Sequence, residues 1–155
     1  VNGGIVSSRQ GVKVWTEILI PDEVEDILVL PGGRTANRLL CLEPNKLKII
    51  KAAAQEADIC MMIANGSSVL AQTGLLYHRQ IADYPGEENW KRMFTAEIRR
   101  GQNAKWISDG KYYSSSSTMA GFDMALGVIS DMVDIELAVH IANELGYEWN
   151  QEMIF

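Results

Sequence analysis

Two short apolar segments, each closed by a turn that contains glycine, constrain the fold of this chain more than any other feature. Ile27–Leu30 ends at Pro31-Gly32-Gly33, and Ile59–Ile63 ends at Ala64-Asn65-Gly66. Such runs are typical of strands that are buried on both faces of a parallel sheet. Between them, apolar residues repeat at helical spacing after Pro44, which suits the first turn of a helix. Residues 27–63 therefore predict a strand, a helix and a strand joined by a right-handed crossover, with the first strand lying centrally.

The rest of the chain also alternates between strand and helix patterns. The predicted elements are a strand over 12–16, a short helix over 67–73 ended by Gly74, a helix over 87–100 with Trp90 and Phe94 facing inward, a hairpin turning at Asp109-Gly110, a helix around Phe122–Val133 and a last helix capped by Asp134 and ended by Gly146. This alternation predicts a single three-layer α/β/α domain over residues 1–155, with a mainly parallel sheet. In such folds a ligand binds at the carboxyl ends of the strands, where the two glycine turns lie.

Charge and hydropathy exclude several classes of function. The net charge of −6 repels a phosphate backbone, so nucleic acid is not an expected partner. No apolar stretch approaches the roughly 20 residues that cross a bilayer. The first thirty residues carry Glu17, Asp22 and Glu23 where a secretory leader needs an unbroken apolar centre. Two cysteines without such a leader indicate reduced thiols, and we expect a cytoplasmic protein.

An ordered set of short segments connects the two turns with the later part of the chain. The set comprises Asp26–Gly33, Asn65–Ala71, Gly74-Leu75-Leu76, Trp106–Gly110, Ser114-Ser115-Ser116 and Ala120–Leu126. Taken together and in this order, these segments resemble the ThiJ/PfpI family. The resemblance implies the flavodoxin-like fold of the class I glutamine amidotransferases. It also implies a homodimer.

The resemblance implies a cysteine at a nucleophile elbow, the tight turn between the second strand and the following helix. A helix N-terminus favours a thiolate, and nearby backbone N–H groups stabilise an oxyanion. Ala64 stands at the position of that cysteine, and Tyr84 stands where many relatives carry a histidine. We therefore expect no catalytic residue. The codon for residue 64 distinguishes a natural alanine from an engineered replacement.

The remaining expected binding residues surround the same turn. The resemblance and the loop positions give the binding set Gly32, Gly33, Ala64, Asn65, Gly66, Tyr84 and Ser116. The run from Ser114 to Ser117 equally fits a capped helix start, so both interpretations stay open. The resemblance also aligns Val1 with a point just before the family's second strand. A preceding strand and helix, which deliver a glutamate in relatives, are thus expected from another chain or from a longer product.

Other reactive side chains favour structural roles. Cys60 lies inside an apolar strand and is expected to be a buried thiol, and the same is expected of Cys41. Ser67 and Ser68 follow the turn and are expected chiefly to satisfy backbone groups. His78 and His140 have no partners at ligand spacing, so neither a metal nor a cofactor is predicted.

Three classes of function follow. The first is a non-catalytic homologue that binds a small molecule or a partner in the crevice where relatives have their active site. The second, which the family resemblance implies, is an enzyme with an altered site, of the intracellular protease or amidase, isocyanide hydratase or glyoxalase type. It would use water activated by Tyr84 or Asp83, with the Gly32-Gly33 and Asn65 amides holding an oxyanion. The third is the sensing half of a transcription activator, which requires an appended DNA-binding domain that this acidic chain does not display.

Overall fold

A computed structural model of the protein describes residues 3–24, 26–34, 36–94 and 97–151, without the side chains of Leu40, Cys41 and Phe94. The predictions for the Cys41 thiol and for the inward-facing Phe94 ring fall on side chains outside this description.

Eight strands and six α-helices make up the described fold. The strands are β1 (Gly4–Ser7), β2 (Lys13–Thr16), β3 (Ile27–Leu30), β4 (Ile59–Ile63), β5 (Gln80–Ala82), β6 (Arg99–Gly101), β7 (Trp106–Asp109) and β8 (Tyr112–Ser115). The helices are α1 (Leu39–Leu42), α2 (Pro44–Glu56), α3 (Ser67–Thr73), α4 (Glu88–Lys91), α5 (Ala120–Met132) and α6 (Ile135–Glu144). Short 3-10 turns precede α1 and α3 and follow α4.

The central sheet has four strands in the order β3-β4-β8-β7. β4 is parallel to β3 and to β8, whereas β7 and β8 form an antiparallel hairpin. The predicted turn at Asp109-Gly110 is confirmed, with Asp109 paired to Tyr112 and Gly110 in the left-handed region at φ 62°. Two smaller two-stranded sheets are also present, the antiparallel pair β1-β2 and the parallel pair β5-β6. The mainly parallel α/β fold predicted from the sequence is confirmed.

Helices cover both faces of the central strand β4, which gives three layers. Cys60 and Met62 face a cluster that includes Leu47 and Ile50 of α2 and Leu70 of α3. Ile59 and Met61 face the opposite cluster, with Trp106, Met124 and Val128. Full burial of Met62, Leu70 and Met124 places apolar cores on the two sides of one sheet. The double-sided burial predicted for this strand is confirmed.

The position predicted for β3 is wrong. β3 lies at the edge of the described four-stranded sheet, and only Leu28 and Leu30 on one face are buried. Ile27 and Val29 are 40% and 48% exposed. A continuous apolar run predicts a strand buried on both faces only if a neighbouring layer covers each face. In the described residues, the face of β3 that carries Ile27 and Val29 is uncovered.

The long helix predicted over 87–100 is also wrong. α4 ends at Lys91, and Arg99 and Arg100 belong to β6. There Arg100 pairs in parallel register with Ile81 of β5. Acidic residues at the start of the segment and arginines at its end favour a helix, because such charges interact favourably with the helix dipole. Pairing of β6 with β5 overrides that local preference. Trp90 packs against the main core as predicted.

The other helix boundaries agree with the sequence signals. Pro44 occupies the first turn of α2, and Gly74 ends α3 in a left-handed conformation at φ 82°. Asp134 caps α6 by accepting a hydrogen bond from the backbone N–H of Leu137 at 2.7 Å, and Gly146 follows the helix at φ 63°. Across the described ranges, no helix has the length and hydropathy to cross a bilayer.

Candidate functional site

The connection from β4 to α3 is the sharpest feature at the carboxyl edge of the sheet. Ala64 adopts φ 50°, a left-handed conformation that is uncommon for residues other than glycine. Gly66 lies against β3, where a Cβ would stand 2.2 Å from the Leu30 carbonyl oxygen. A side chain at residue 66 would therefore push the turn away from β3. Strain at a residue held by its surroundings often marks a functional site.

Asn65 fastens this turn to the Gly32-Gly33 loop. Its Oδ1 accepts a hydrogen bond from the Gly33 N–H at 3.0 Å, and its Nδ2 donates to the Gly33 carbonyl at 2.9 Å. A Cβ on Gly32 would stand 2.5 Å from the same Oδ1, so the contact requires glycine there. The Gly33 N–H, expected as an oxyanion donor, is thus bound by Asn65. The two predicted loops are nevertheless brought together.

A cavity of about 260 Å³ opens beside Ala64. It is lined by Ala64, Asn65, Tyr84, Pro85, Glu87, Ser116, Ser117 and Thr118. We call this space the Ala64 cavity. Hydroxyl groups dominate its polar lining, and Glu87 is the one charged side chain among these described lining residues. Such a lining suits noncovalent binding of a small polar molecule.

The serine run lies at the cavity and also satisfies the start of α5. The Ser115 hydroxyl accepts a hydrogen bond from the Ala64 N–H at 3.4 Å, which ties the turn to β8. The Ser117 hydroxyl accepts from the Ala120 N–H at 3.1 Å and so satisfies the start of α5. Ser116 donates to the Lys105 carbonyl at 3.0 Å and also lines the cavity.

Tyr84 lines the cavity, although the residue is only 3% exposed. The hydroxyl lies 3.1 Å from Glu87 Oε2, to which it donates, and 2.6 Å from the Ser68 Oγ. Since the phenol proton is directed at Glu87, the Ser68 hydroxyl is the donor in the second contact. Burial raises the pKa of Tyr84 to about 12, and the Glu87 carboxylate adds to the rise. Tyr84 is thus a protonated hydrogen-bond donor near neutral pH.

Behind the Tyr84 ring lies a group of buried charges. Lys91 is 3% exposed, lies 2.9 Å from Asp83 Oδ1 and donates to the Tyr84 carbonyl. Lys91 and Arg100 stand 4.5 Å and 5.8 Å from the centroid of the Tyr84 ring. These contacts fix the ring, since cations near an aromatic face are attracted to it. Asp83 is paired with Lys91 and does not line the Ala64 cavity.

The structure therefore gathers most of the predicted binding set. Ala64, Asn65, Tyr84 and Ser116 line the cavity, and Gly33 is joined to it through Asn65. Gly32 and Gly66 allow close backbone approach but do not line the cavity.

Sequence reasoning missed Glu87 because it was placed in the first turn of a long helix. The signal that could have found it is the Pro85-Gly86 pair before it, which predicts a turn and not a helix start.

The other reactive side chains do not line the Ala64 cavity. Cys60 is fully buried, and burial raises the pKa of its thiol, as fits a structural cysteine. Ser67 donates to the Ala64 carbonyl at 3.4 Å. His140 lies beside Glu144 on exposed α6, far along the chain from this turn. Within the part of the chain that the structure describes, no group of histidine, cysteine and carboxylate side chains has the geometry of a metal site.

The chain is similar to known proteins over most of its length. The profile of the DJ-1/PfpI family matches residues 1–131. A deglycase of Pyrococcus abyssi is 30% identical over 116 residues, which cover 72% of this chain and 67% of the relative. The Parkinson disease protein 7 homolog of Danio rerio is 22% identical over 116 residues, which cover 75% of this chain and 60% of the relative. The chain thus spans about two thirds of the length of these curated relatives.

Solved structures with the same fold cover nearly the whole chain. A cysteine-to-alanine mutant of a DJ-1 superfamily protein from Salmonella typhimurium superposes with a TM-score of 0.77 at 21% identity, over 96% of this chain and 80% of that one. Drosophila melanogaster DJ-1beta gives 0.77 at 17% identity, over 95% and 79%. An AraC family transcriptional regulator from Pseudomonas putida gives 0.75 at 20% identity, over 93% and 77%. With the profile match over residues 1–131, we conclude that this chain belongs to the DJ-1/PfpI family.

Proposed function

We propose that this family member binds a small polar molecule noncovalently in the Ala64 cavity and has lost the covalent chemistry of a nucleophile elbow. The observation that carries the proposal is Ala64 itself. It holds the strained conformation of a strand-to-helix elbow at φ 50° and lines the cavity, yet its side chain is a methyl group. A methyl group has no lone pair with which to attack a carbonyl carbon.

The surrounding groups support binding more than catalysis. Tyr84 would have to lose its proton to act as a base, but its pKa of about 12 opposes this. Its hydroxyl is also committed to Glu87 and Ser68. Asp83, the other residue considered for activating water, is paired with Lys91. Neither residue of the altered-enzyme hypothesis is thus poised to take a proton.

The test is an assay of the complete gene product, because this chain spans only part of its relatives. We expect no turnover of methylglyoxal, of glycated amines, of amide substrates or of isocyanides. The matched variant Ala64→Cys places a thiol at the elbow, and we expect peptide mapping to find the iodoacetamide label at residue 64 of the folded variant, whereas Cys60 of either protein is labelled only after unfolding exposes it. Turnover of any of these substrates by the unmodified protein would contradict the proposal and favour an altered enzyme.

A cytoplasmic location is part of the same proposal, and fractionation of cells that express the complete gene product tests it.

A further inference from the structure

Glu87 brings a negative charge to the wall of the Ala64 cavity. Glu87 is partly buried at the cavity wall, and its carboxylate receives hydrogen bonds from two neutral donors, the Tyr84 hydroxyl at 3.1 Å and the Asn65 amide at 3.4 Å. Neither donor carries a positive charge. Neutral donors orient a carboxylate, but they compensate its negative charge less well than a cation does.

The cations near the Tyr84 ring face acids other than Glu87, and the Arg100 guanidinium, buried beside that ring, makes no hydrogen bond in the described residues. Lys91 lies 2.9 Å from Asp83 and 3.1 Å from Glu88, and Arg100 lies 3.9 Å from Asp83. In the described residues, no lysine, arginine or histidine forms an ion pair with Glu87. The Glu87 carboxylate is therefore the charged group at the Ala64 cavity that remains available to a cationic ligand.

The backbone holds Glu87 in this position at a cost. Its φ of 61° is left-handed, as is that of Gly86 at 86°, which precedes it. A left-handed conformation outside glycine costs of the order of 1–3 kcal/mol and persists when the surroundings enforce it. Because Glu87 is the N-cap residue of α4 but makes no capping hydrogen bond with its side chain, local helix capping does not explain this conformation. The carboxylate instead points to Tyr84 and Asn65.

We propose that Glu87 selects a small primary ammonium compound as the ligand of the Ala64 cavity, an inference that rests on the proposed binding function. A primary ammonium group has three N–H donors. One would meet Glu87, whose oxygens retain free lone pairs, and the others would meet the hydroxyl oxygens of Ser116 and Thr118, which line the same cavity. The Ala64 methyl leaves room for an aliphatic carbon. At about 260 Å³ the cavity is smaller than the 300 to 1,000 Å³ typical of drug-sized ligands, so the ligand is small.

The experiment compares three probes of nearly equal size, namely propylammonium, propan-1-ol and propanoate. Each is titrated into the isotope-labelled protein, and backbone amide chemical shifts are followed. We expect propylammonium to shift the amides of Ala64, Asn65 and Thr118 with a millimolar dissociation constant, as suits so few atoms. Propanol is expected to bind roughly tenfold more weakly, and propanoate not to bind, because the carboxylate repels it.

Two variants separate the local charge from the general acidity of the protein. Glu87→Gln should weaken propylammonium binding at least about tenfold and remove the preference over propanol. Glu56→Gln is the matched control, since its carboxylate is exposed at the end of α2 and does not line the Ala64 cavity. It should leave the affinity unchanged. Thermal unfolding of both variants verifies that each is folded.

The possible outcomes distinguish the two proposals. Propanol binding as tightly as propylammonium, or equal losses in the two variants, would overturn the role of Glu87 and leave noncovalent binding in place. No shift with any probe would overturn both. Turnover of the substrates named above, together with the expected charge preference, would overturn only the non-catalytic function.

Discussion

Tyr84 shows how one buried side chain links the site to the stability of the protein. Its hydroxyl joins Ser68 of α3 to Glu87 before α4, and its ring lies against Lys91. Burial and the Glu87 carboxylate raise the pKa of Tyr84 to about 12, whereas a tyrosine in the unfolded chain titrates near about 10.

The sign of the pH effect follows from this rise. Between about pH 10 and 12 the folded state holds the Tyr84 proton that the unfolded state loses, so the free energy of unfolding falls as pH increases. Its contribution is fully present below about pH 10. We expect Tyr84→Phe to show a shallower loss of stability across that window, measured by urea unfolding at a series of pH values. Tyr113, with a pKa raised to about 12 by burial and by Asp131, should act independently, so the double variant should be flatter still. An unchanged slope in Tyr84→Phe would contradict the assignment.

Asn65 is a second residue that holds parts of the site together. Replacing Asn65 with alanine removes the two hydrogen bonds to Gly33 that join the loops after β3 and β4. We expect a loss of about 1–3 kcal/mol in the free energy of unfolding and faster amide exchange at Gly33. Asn89→Ala, on the exposed surface of α4, is the control and should change stability by less than about 0.5 kcal/mol. Equal effects of the two substitutions would show that Asn65 does not hold the loops.

At the scale of single elements, α6 depends on its amino-terminal cap. The Asp134 carboxylate accepts the Leu137 N–H at 2.7 Å, and the acidic Glu136 follows in the first turn. We expect Asp134→Ala to lower the free energy of unfolding by about 1 kcal/mol, and Asp134→Ser to retain most of the stability because its hydroxyl can still accept. Chemical denaturation of the three proteins measures the difference. A serine variant as unstable as the alanine variant would show that the hydrogen bond is not the cause.

β3 is an edge strand in the described sheet, and Val29 on it is 48% exposed. An apolar edge strand of this kind favours pairing with a further strand. We propose that a preceding strand, from a longer product of the same gene or from a second chain, pairs with β3. Amide exchange of residues 27–30 should be slower in the complete gene product than in this chain. Equal exchange rates would contradict the proposal.

At the scale of the whole molecule, the β1-β2 hairpin exposes an unusual amount of apolar surface. Ile5 and Trp15 are cross-strand partners that are 65% and 72% exposed, and the neighbouring pair Val6 and Val14 is also exposed. Exposed apolar patches of this kind are typical of interaction surfaces. We propose that the hairpin contributes to the homodimer that the family resemblance implies.

Sedimentation equilibrium tests this proposal. We expect the protein to dimerise and Trp15→Glu to weaken the dimer at least about tenfold, because a buried tryptophan is often an interface hot spot. Met93→Glu, 74% exposed and distant in sequence, is the control and should dimerise normally. A protein that stays monomeric, or a Trp15→Glu variant that dimerises as well as the parent, would contradict it.

The sequence predicted those parts of the fold that depend on short-range patterns. The helical repeat after Pro44, the left-handed Gly74, the cap at Asp134 and the turn at Gly110 were all identified, because each depends on the conformational preference of one or two residues. The prediction for 87–100 was wrong because Arg99 and Arg100 pair with a strand about twenty residues away, a contact without a local signature. The edge position of β3 likewise depends on which layers cover it.

For the site, residue types alone establish that residue 64 carries a methyl group and that two glycine turns follow the apolar strands. The contact of Asn65 with Gly33, the burial of Tyr84 and the place of Glu87 at the cavity emerge only once the chain has folded. These contacts join residues that lie far apart along the chain. Glu87 reaches Asn65 across 22 positions, through a left-handed backbone that its neighbours enforce and that no pattern of residue types specifies.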